Sequence, residues 1–139
     1  NTVINKNGKL FGTNTDYKGA LSALSETTAI KGKDVVVLGA GGAARGIVYG
    51  LILEGAKVTV INRTISKGEK LAADFNTNFS PYSTKISRYN YDILINTTPV
   101  GMYPLQNLSL VKKDSLKKDM IVMDIVYNPL KTLLLKEAE

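Results

Sequence analysis

The sequence contains no cysteine, no histidine and no tryptophan among its 139 residues. Without cysteine, the chain has no disulfide framework, no thiolate nucleophile and no cysteine-ligated metal site. Without histidine, it lacks the most common general base and the most common metal ligand of proteins. We therefore predict no bound metal, and any acid–base chemistry must use Asp, Glu, Lys or Tyr.

Long apolar runs are also missing. No segment approaches the roughly 20 apolar residues that span a bilayer, and no basic segment followed by an apolar run opens the chain, as a secretory signal would. These absences predict a soluble, cytoplasmic protein with no membrane partner. The chain begins at Asn1 without an initiator methionine, so we expect a fragment of a longer protein.

The net charge of +6 arises from 18 Lys and Arg against 12 Asp and Glu. The densest basic pairs, Lys112-Lys113 and Lys117-Lys118, lie beside Asp114 and Asp119. Interspersed charges of both signs are typical of a solvated face rather than of a nucleic-acid footprint. We therefore predict no nucleic-acid partner, and the positive excess suits a small polyanionic ligand such as a phosphorylated nucleotide.

Apolar patterning predicts strands and helices in alternation. Asn7 and Gly8 form a strong hairpin signal, so residues 3–5 and 10–12 should pair as a small ribbon. We expect further strands at 34–39, 57–61, 92–96 and 120–124, and helices at 16–25, 43–54, 66–75 and 130–139. Thr15 or Asn14 should cap the first helix and Ser66 the third. Residues 76–88 receive no assignment.

This order of elements predicts one domain of the α/β class. Residues 34–39 are apolar almost throughout, as in a strand covered on both faces, so this strand should be central in its sheet. We predict a Rossmann-like, doubly wound, mainly parallel sheet with helices on both faces.

A glycine-rich turn follows the central strand. Residues 39–44 read Gly-Ala-Gly-Gly-Ala-Ala, which fits G-x-G-x-x-G/A. Gly39 would make the tight turn, Gly41 would let the backbone approach a pyrophosphate, and Ala44 would let the helix pack on the strand. The helix N-terminus favours a bound anion. The alternative is a structural turn that merely needed glycine. We predict a dinucleotide site formed by Gly39, Ala40, Gly41, Gly42 and Ala43.

The end of the next strand indicates which dinucleotide binds. NAD sites usually carry an acidic residue there, about 20 residues after the first glycine, that binds the ribose 2′-hydroxyl. This chain instead has Asn62, Arg63 and Thr64, with Lys67 one helical turn later. A guanidinium can donate two parallel hydrogen bonds to a 2′-phosphate. We therefore predict NADP(H) as the cofactor; an exposed arginine that begins a loop is the alternative.

Polar segments at the ends of the last two strands span residues 96–102 and 124–129. In doubly wound sheets, ligands bind beyond the carboxyl ends of the strands, so Thr97, Thr98, Pro99 and Val100 could line a nicotinamide site. The same residue types also fill ordinary turns, which leaves both interpretations open.

Taken in order, these segments resemble the shikimate dehydrogenase family. The matching stretches are Asn14-Thr15-Asp16 with Gly19, Gly39 to Arg45, Asn62-Arg63-Thr64, Asn96 to Met102, and Asp124 to Leu130. They span nearly the whole chain, and an ordered set is more specific than any one member. The resemblance implies NADPH-dependent reduction of 3-dehydroshikimate to shikimate, a step in the synthesis of chorismate and the aromatic amino acids.

The same resemblance assigns roles to individual residues. Asp16 would be the carboxylate of a catalytic Lys–Asp pair; from its chemistry alone it could also be an acidic first-turn residue stabilised by the helix dipole. The resemblance further implies substrate contacts by Asn1, Thr15 and Tyr127, and a position near the nicotinamide for Gly101 and Met102.

The sequence also departs from the family pattern. In the family, the partner lysine lies in an N-terminal substrate domain. A segment that bears a substrate-binding glutamine, followed by a helix, forms the C-terminal end of family members. The sequence contains none of these features. We interpret residues 1–139 as the NADP-binding domain, with residues 1–16 as the start of the junction to the substrate domain. Alone, the chain should bind cofactor without turnover, and surface left uncovered favours oligomers. The alternatives are a quinate/shikimate dehydrogenase and a non-catalytic nucleotide-binding module.

Overall fold

The computed structural model of the chain describes residues 1–83, 86 and 90–139. An antiparallel ribbon opens it, in which β1 (Thr2–Lys6) pairs with β2 (Lys9–Thr13). Asn7 and Gly8 have φ values of 52° and 82°, as the two-residue turn between the strands requires. The predicted hairpin is confirmed, with each strand one residue longer at both ends.

A five-stranded parallel sheet forms the centre of the molecule, in the order β5-β4-β3-β6-β7. Its strands are β3 (Asp34–Leu38), β4 (Lys57–Asn62), β5 (Asn78–Pro81), β6 (Ile93–Asn96) and β7 (Ile121–Asp124). The chain builds one half of the sheet outward from β3 and then returns to build the other half from β6. The predicted central position of β3 is confirmed, and this reversal opens a crevice beyond its carboxyl end.

Helices cover both faces of the sheet, as predicted. They are α1 (Asp16–Ser25), α2 (Gly42–Leu53), α3 (Ile65–Asp74) and α4 (Leu133–Ala138). The first three pack on the face that carries Val35 and Val37, while α4 and the segment around Val111 cover the face that carries Val36. None of the helices among the described residues combines the length and the apolar character of a membrane span.

Two small residues let α1 lie directly on α2. A Cβ added at Gly50 would come within 2.7 Å of Tyr17 Cδ2, and one added at Gly46 within 3.0 Å of Asn14 Nδ2. Leu21 of α1 then reaches the same core cluster as the α2 side chains. The two helices therefore pack as one unit, because neither glycine position has space for a larger residue.

Three predicted helix starts need correction or refinement. For α1, Asn14 rather than Thr15 supplies the cap, since its Oδ1 accepts a hydrogen bond of 3.0 Å from the Asp16 N–H. Ser66 does not cap α3, because that helix already begins at Ile65. The last helix begins at Leu133 rather than 130, where Thr132 Oγ1 accepts a hydrogen bond of 3.4 Å from the Leu135 N–H.

Strand β5 lies in the stretch that the sequence left unassigned. Its residues read Asn-Phe-Ser-Pro and contain a single large apolar side chain, unlike the apolar runs of β6 and β7, so the sequence carries no strand pattern there. Its Phe79 packs on α3, where a Cβ added at Gly68 would lie 2.1 Å from the ring. Residues 84, 85, 87 and 88 of the same stretch lie outside the described part of the chain.

Candidate functional site

A cleft of about 490 Å³ lies beyond the carboxyl ends of β3, β4 and β6. Three loops remote from one another in sequence supply its walls. Of the predicted cofactor residues, the cleft is lined by Gly39, Ala40, Gly41, Asn62, Arg63, Thr64, Lys67, Thr97, Thr98, Pro99 and Val100. The structure therefore brings together the glycine turn, the basic turn and the polar loop that the sequence singled out separately.

The remaining predicted cofactor residues border this cleft in sequence without lining it. Gly42 and Ala43 are the first residues of α2. Gly101 and Met102 follow the lining segment, and Met102 is 44% exposed. We keep these four residues as predictions.

Gly39 makes the turn that brings β3 against the loop after β6. Its φ is 111°, and a Cβ at this position would lie 2.6 Å from Thr97 Oγ1. That hydroxyl donates a hydrogen bond of 2.6 Å to the Leu38 carbonyl. Both the backbone angle and the lack of space therefore require glycine here.

The first turn of α2 offers an uncompensated positive helix end. Gly41 precedes the helix with extended backbone, no side chain of the described residues caps it, and its first turn contains no acidic residue. No described atom beyond its chain neighbours lies within 4 Å of a Cβ built at Gly41, so the turn faces open space. Arg45 does not fill that space, because it pairs with Asp74 at 2.7 Å. These features fit a bound phosphate group.

Two basic side chains stand at the rim of the cleft on the β4 side. Arg63 and Lys67 are exposed, and no carboxylate of the described residues forms an ion pair with either. Asn62 Nδ2 donates a hydrogen bond of 2.8 Å to the Thr64 carbonyl and so fixes the turn that carries Arg63. Two such cations beside a fixed turn suit a doubly charged phosphate.

Asn96 organises the opposite wall of the cleft and was not among the predicted site residues. Its side chain is buried, donates to the Val100 carbonyl at 3.0 Å, and accepts from Thr98 N–H and Oγ1 at 3.1 and 2.7 Å. The sequence signal that could have identified Asn96 as a site residue is its position as the polar residue that ends an apolar strand.

Tyr82, Leu105 and Leu110 also line the cleft and were missed. Tyr82 donates a hydrogen bond of 2.9 Å to the Leu110 carbonyl. No local signal marks these residues, because the position of Tyr82 depends on the unrecognised strand β5.

The predicted catalytic and substrate residues do not line this cleft, and they lie in two places: Asn1, Thr15 and Asp16 at the start of α1, and Tyr127 after β7. Asn1 Oδ1 accepts a hydrogen bond of 2.9 Å from the Thr15 N–H, and Asp16 is exposed at the start of α1. Asn14, which precedes Thr15, lines a hollow of about 350 Å³ together with Gly42, so this part of the chain borders the first turn of α2. Tyr127, in the loop after β7, is 84% exposed.

Comparison with known proteins shows which family this chain resembles. A family model described as shikimate / quinate 5-dehydrogenase matches residues 21–129. The NADP(+) shikimate dehydrogenase of Geobacillus sp. (strain WCH70) is 44% identical over an alignment of 146 positions. The alignment covers 99% of this chain and 53% of that protein. The chain thus spans about half the length of the curated relatives it matches.

Solved structures agree over almost the whole chain. Shikimate 5-dehydrogenase of Thermus thermophilus, in complex with NADP(H) and shikimate, is 35% identical with a TM-score of 0.85, over 98% of this chain and 51% of that one. A ligand-free 5-ketofructose reductase of Gluconobacter sp. strain CHM43 is 40% identical with a TM-score of 0.85, over 98% and 52%. With its glycine turn, basic turn and polar loop joined in one cleft, the chain belongs to the shikimate/quinate 5-dehydrogenase family.

Proposed function

We propose that this chain is the NADP-binding part of a shikimate dehydrogenase that reduces 3-dehydroshikimate to shikimate with NADPH. The observation that carries the proposal is the cleft that joins an uncapped helix end to two basic side chains with no carboxylate partner among the described residues. A dinucleotide with a further phosphate on its ribose matches both features, since it presents a diphosphate and a separate phosphate monoester.

The cleft suggests how the cofactor lies in it. The diphosphate would lie on residues 39–43, where open space surrounds Gly41. The 2′-phosphate would bind Arg63 and Lys67, with Asn62 and Thr64 holding the turn. The nicotinamide half would then extend toward residues 97–102, because residues 97–100 of this loop form the wall on the β6 side. When bound, NADPH supplies the hydride.

Asp16 is proposed to act with a residue from outside this chain. The substrate carbonyl gains a hydride at carbon and a proton at oxygen, so the reaction needs an acid beside that oxygen. Among the described residues, Asp16 has no basic partner. Its exposed carboxylate is therefore free to orient the ammonium group of a lysine from a preceding substrate domain. Asn1, Thr15 and Tyr127 are proposed to contact the substrate.

The arrangement of domains and partners is part of the same proposal. Residues 1–16 would begin the junction to a substrate domain, which is supported by relatives about twice as long as this chain. We also propose a cytoplasmic location and no nucleic-acid partner. In the isolated chain, we propose that oligomers form through the surface that the substrate domain would otherwise cover.

Two other functions stay as alternatives. A quinate/shikimate dehydrogenase is favoured by the family description, and the likeness to a 5-ketofructose reductase shows that the substrate must be tested directly. A non-catalytic nucleotide-binding module would have no use for the exposed Asp16.

The test is a pair of titrations followed by an activity assay. Binding of NADPH and of NADH to the chain is followed by cofactor fluorescence, and shikimate and quinate oxidation with NADP⁺ is then measured with the chain alone. We expect a clear preference for NADPH and no oxidation, because Asp16 has no lysine partner among the described residues. Equal affinity for both cofactors would contradict the cofactor assignment. Rapid oxidation of shikimate or quinate by the chain alone would contradict the proposal that Asp16 needs a lysine from a substrate domain.

A further inference from the structure

We propose that Asp124, which does not line the cleft, is a positioning residue that holds the loop after β6 in the shape that binds the nicotinamide half of the cofactor. This inference rests on the function proposed above. Asp124 ends β7, the edge strand next to β6, and faces Asn96 across the pair. The loop in question spans residues 97–102, and its residues 97–100 supply the wall of the cleft on this side.

Both carboxylate oxygens of Asp124 accept hydrogen bonds from neutral donors. Oδ1 accepts from Asn96 Nδ2 at 2.9 Å and from the Val126 N–H at 3.0 Å. Oδ2 accepts from Thr132 Oγ1 at 2.8 Å. No lysine or arginine of the described residues pairs with Asp124. The carboxylate therefore acts as a fixed set of acceptors rather than as half of an ion pair.

The first of these bonds determines how Asn96 is oriented. A carboxylate can only accept hydrogen bonds, so the amide nitrogen of Asn96 must face Asp124. The same nitrogen donates to the Val100 carbonyl, and the amide oxygen then faces the N–H and hydroxyl of Thr98. In the flipped orientation, the amide oxygen would oppose two acceptors. Asp124 thus anchors Asn96 to β7 in the one orientation that also satisfies Thr98 and Val100.

The second oxygen supports the loop from its other side. Thr132 is fully buried, and its Cγ2 lies 3.1 Å from the position of a Cβ at Gly101. Because Asp124 holds the Thr132 hydroxyl, the methyl group stays packed against the loop. One carboxylate therefore restrains the segment through Asn96 at one end and through Thr132 at the other.

The consequences of losing Asp124 should depend on which half of the ligand is probed. Arg63 and Lys67 stand on the β4 side of the cleft, whereas the Asp124 cluster lies behind the loop on the β6 side. A ligand confined to the β4 side, such as adenosine 2′,5′-bisphosphate, should bind independently of Asp124. A ligand that extends to residues 97–102 should depend on it.

The experiment compares NADPH with adenosine 2′,5′-bisphosphate on the same full chain, by fluorescence and by calorimetry. For Asp124→Ala we expect NADPH binding to weaken about tenfold, as for loss of a hydrogen-bond network, and binding of the bisphosphate to change less than about twofold. Asp124→Asn keeps an acceptor for Asn96, and its Kd for NADPH should stay within about threefold of the unchanged chain. Thr132→Val keeps the methyl group but removes the hydroxyl, which donates to Asp124 and accepts a longer bond of 3.4 Å from the Leu135 N–H, so its effect should be intermediate.

Asp92→Ala is the matched control, because Asp92 lies beside the opposite end of β6 and accepts a hydrogen bond of 3.0 Å from the Asp34 N–H. It should not change the ratio of the two affinities. Bisphosphate binding also shows that each variant is folded, and Thr132→Val provides a milder test if Asp124→Ala unfolds.

Several outcomes would overturn the inference. Equal weakening of both ligands by the Asp124 and Thr132 variants would assign the cluster a purely structural role. Unchanged NADPH binding in the Asp124 and Thr132 variants would show that the cluster has no role in cofactor binding. NADP⁺ is titrated by calorimetry as well; if Asp124→Asn weakens NADP⁺ binding far more than NADPH binding, the carboxylate acts through its charge on the nicotinamide instead. If the unchanged chain binds neither ligand, the proposed function fails, and this inference fails with it.

Discussion

Replacement of Arg63 by alanine tests the cofactor assignment most directly. The side chain is exposed and has no carboxylate partner among the described residues, so its loss should change the free energy of unfolding by less than about 0.5 kcal/mol. Hydrogen bonds to charged groups contribute about 1.5 to 3 kcal/mol. Because Arg63 is exposed and Lys67 remains, we expect the lower end, which is about a twelvefold increase in the Kd for NADPH.

NADH lacks the 2′-phosphate, and its affinity should be unchanged. The assay is a fluorescence titration of both cofactors with the Arg63→Ala chain, repeated at low and high salt, and the NADPH effect should shrink as salt screens the exposed charge. Arg45→Ala is the control, because that guanidinium already pairs with Asp74 and its loss should leave the ratio of the two affinities unchanged. Equal losses for NADPH and NADH in Arg63→Ala would refute the reasoning.

Three further predictions concern stability. Gly39→Ala should lower the free energy of unfolding, measured in urea, by at least about 2 kcal/mol because Gly39 has a φ of 111°. Gly41→Ala should leave the free energy of unfolding unchanged, because the position is open, and should weaken NADPH binding. Gly68→Ala should cost about 1 to 3 kcal/mol, since its Cβ would meet the Phe79 ring, and added Phe79→Leu should restore part of this. A backbone N–H holds the pKa of Asp92 below its usual value. The stabilisation by the Asp92 carboxylate is therefore fully present above that usual pKa, and the stability difference from Asp92→Asn should be lost as the pH falls through the lowered pKa.

The sequence predicted those parts of the molecule that depend on local rules. The uninterrupted apolar run of β3 indicates a strand buried on both faces, and the glycine turn after it has few alternatives. Arg63 could be placed at the cleft because the turn after the second strand of such a sheet always lies there. The hairpin followed from Asn7 and Gly8, whose positive φ values are confirmed.

The parts that were missed depend on contacts between distant segments. Strand β5 is recognisable only once Phe79 packs on Gly68 of α3. The bond from Asn96 to Asp124 joins two strands whose neighbourhood is set by the order of the sheet, so no local pattern contains it. The start of α4 was placed too early, because apolar Leu130 extends the helical pattern although it is 91% exposed.

The tight contact between α1 and α2 has a mechanical consequence for a two-domain enzyme. Since Gly46 and Gly50 leave no gap between these helices, Asp16 at the start of α1 is carried by the same rigid body as the glycine turn. In the proposed enzyme, opening and closing of the domains would leave the spacing between Asp16 and the diphosphate constant. The lysine and its substrate would travel toward a stationary carboxylate, so closure itself would assemble the proton donor.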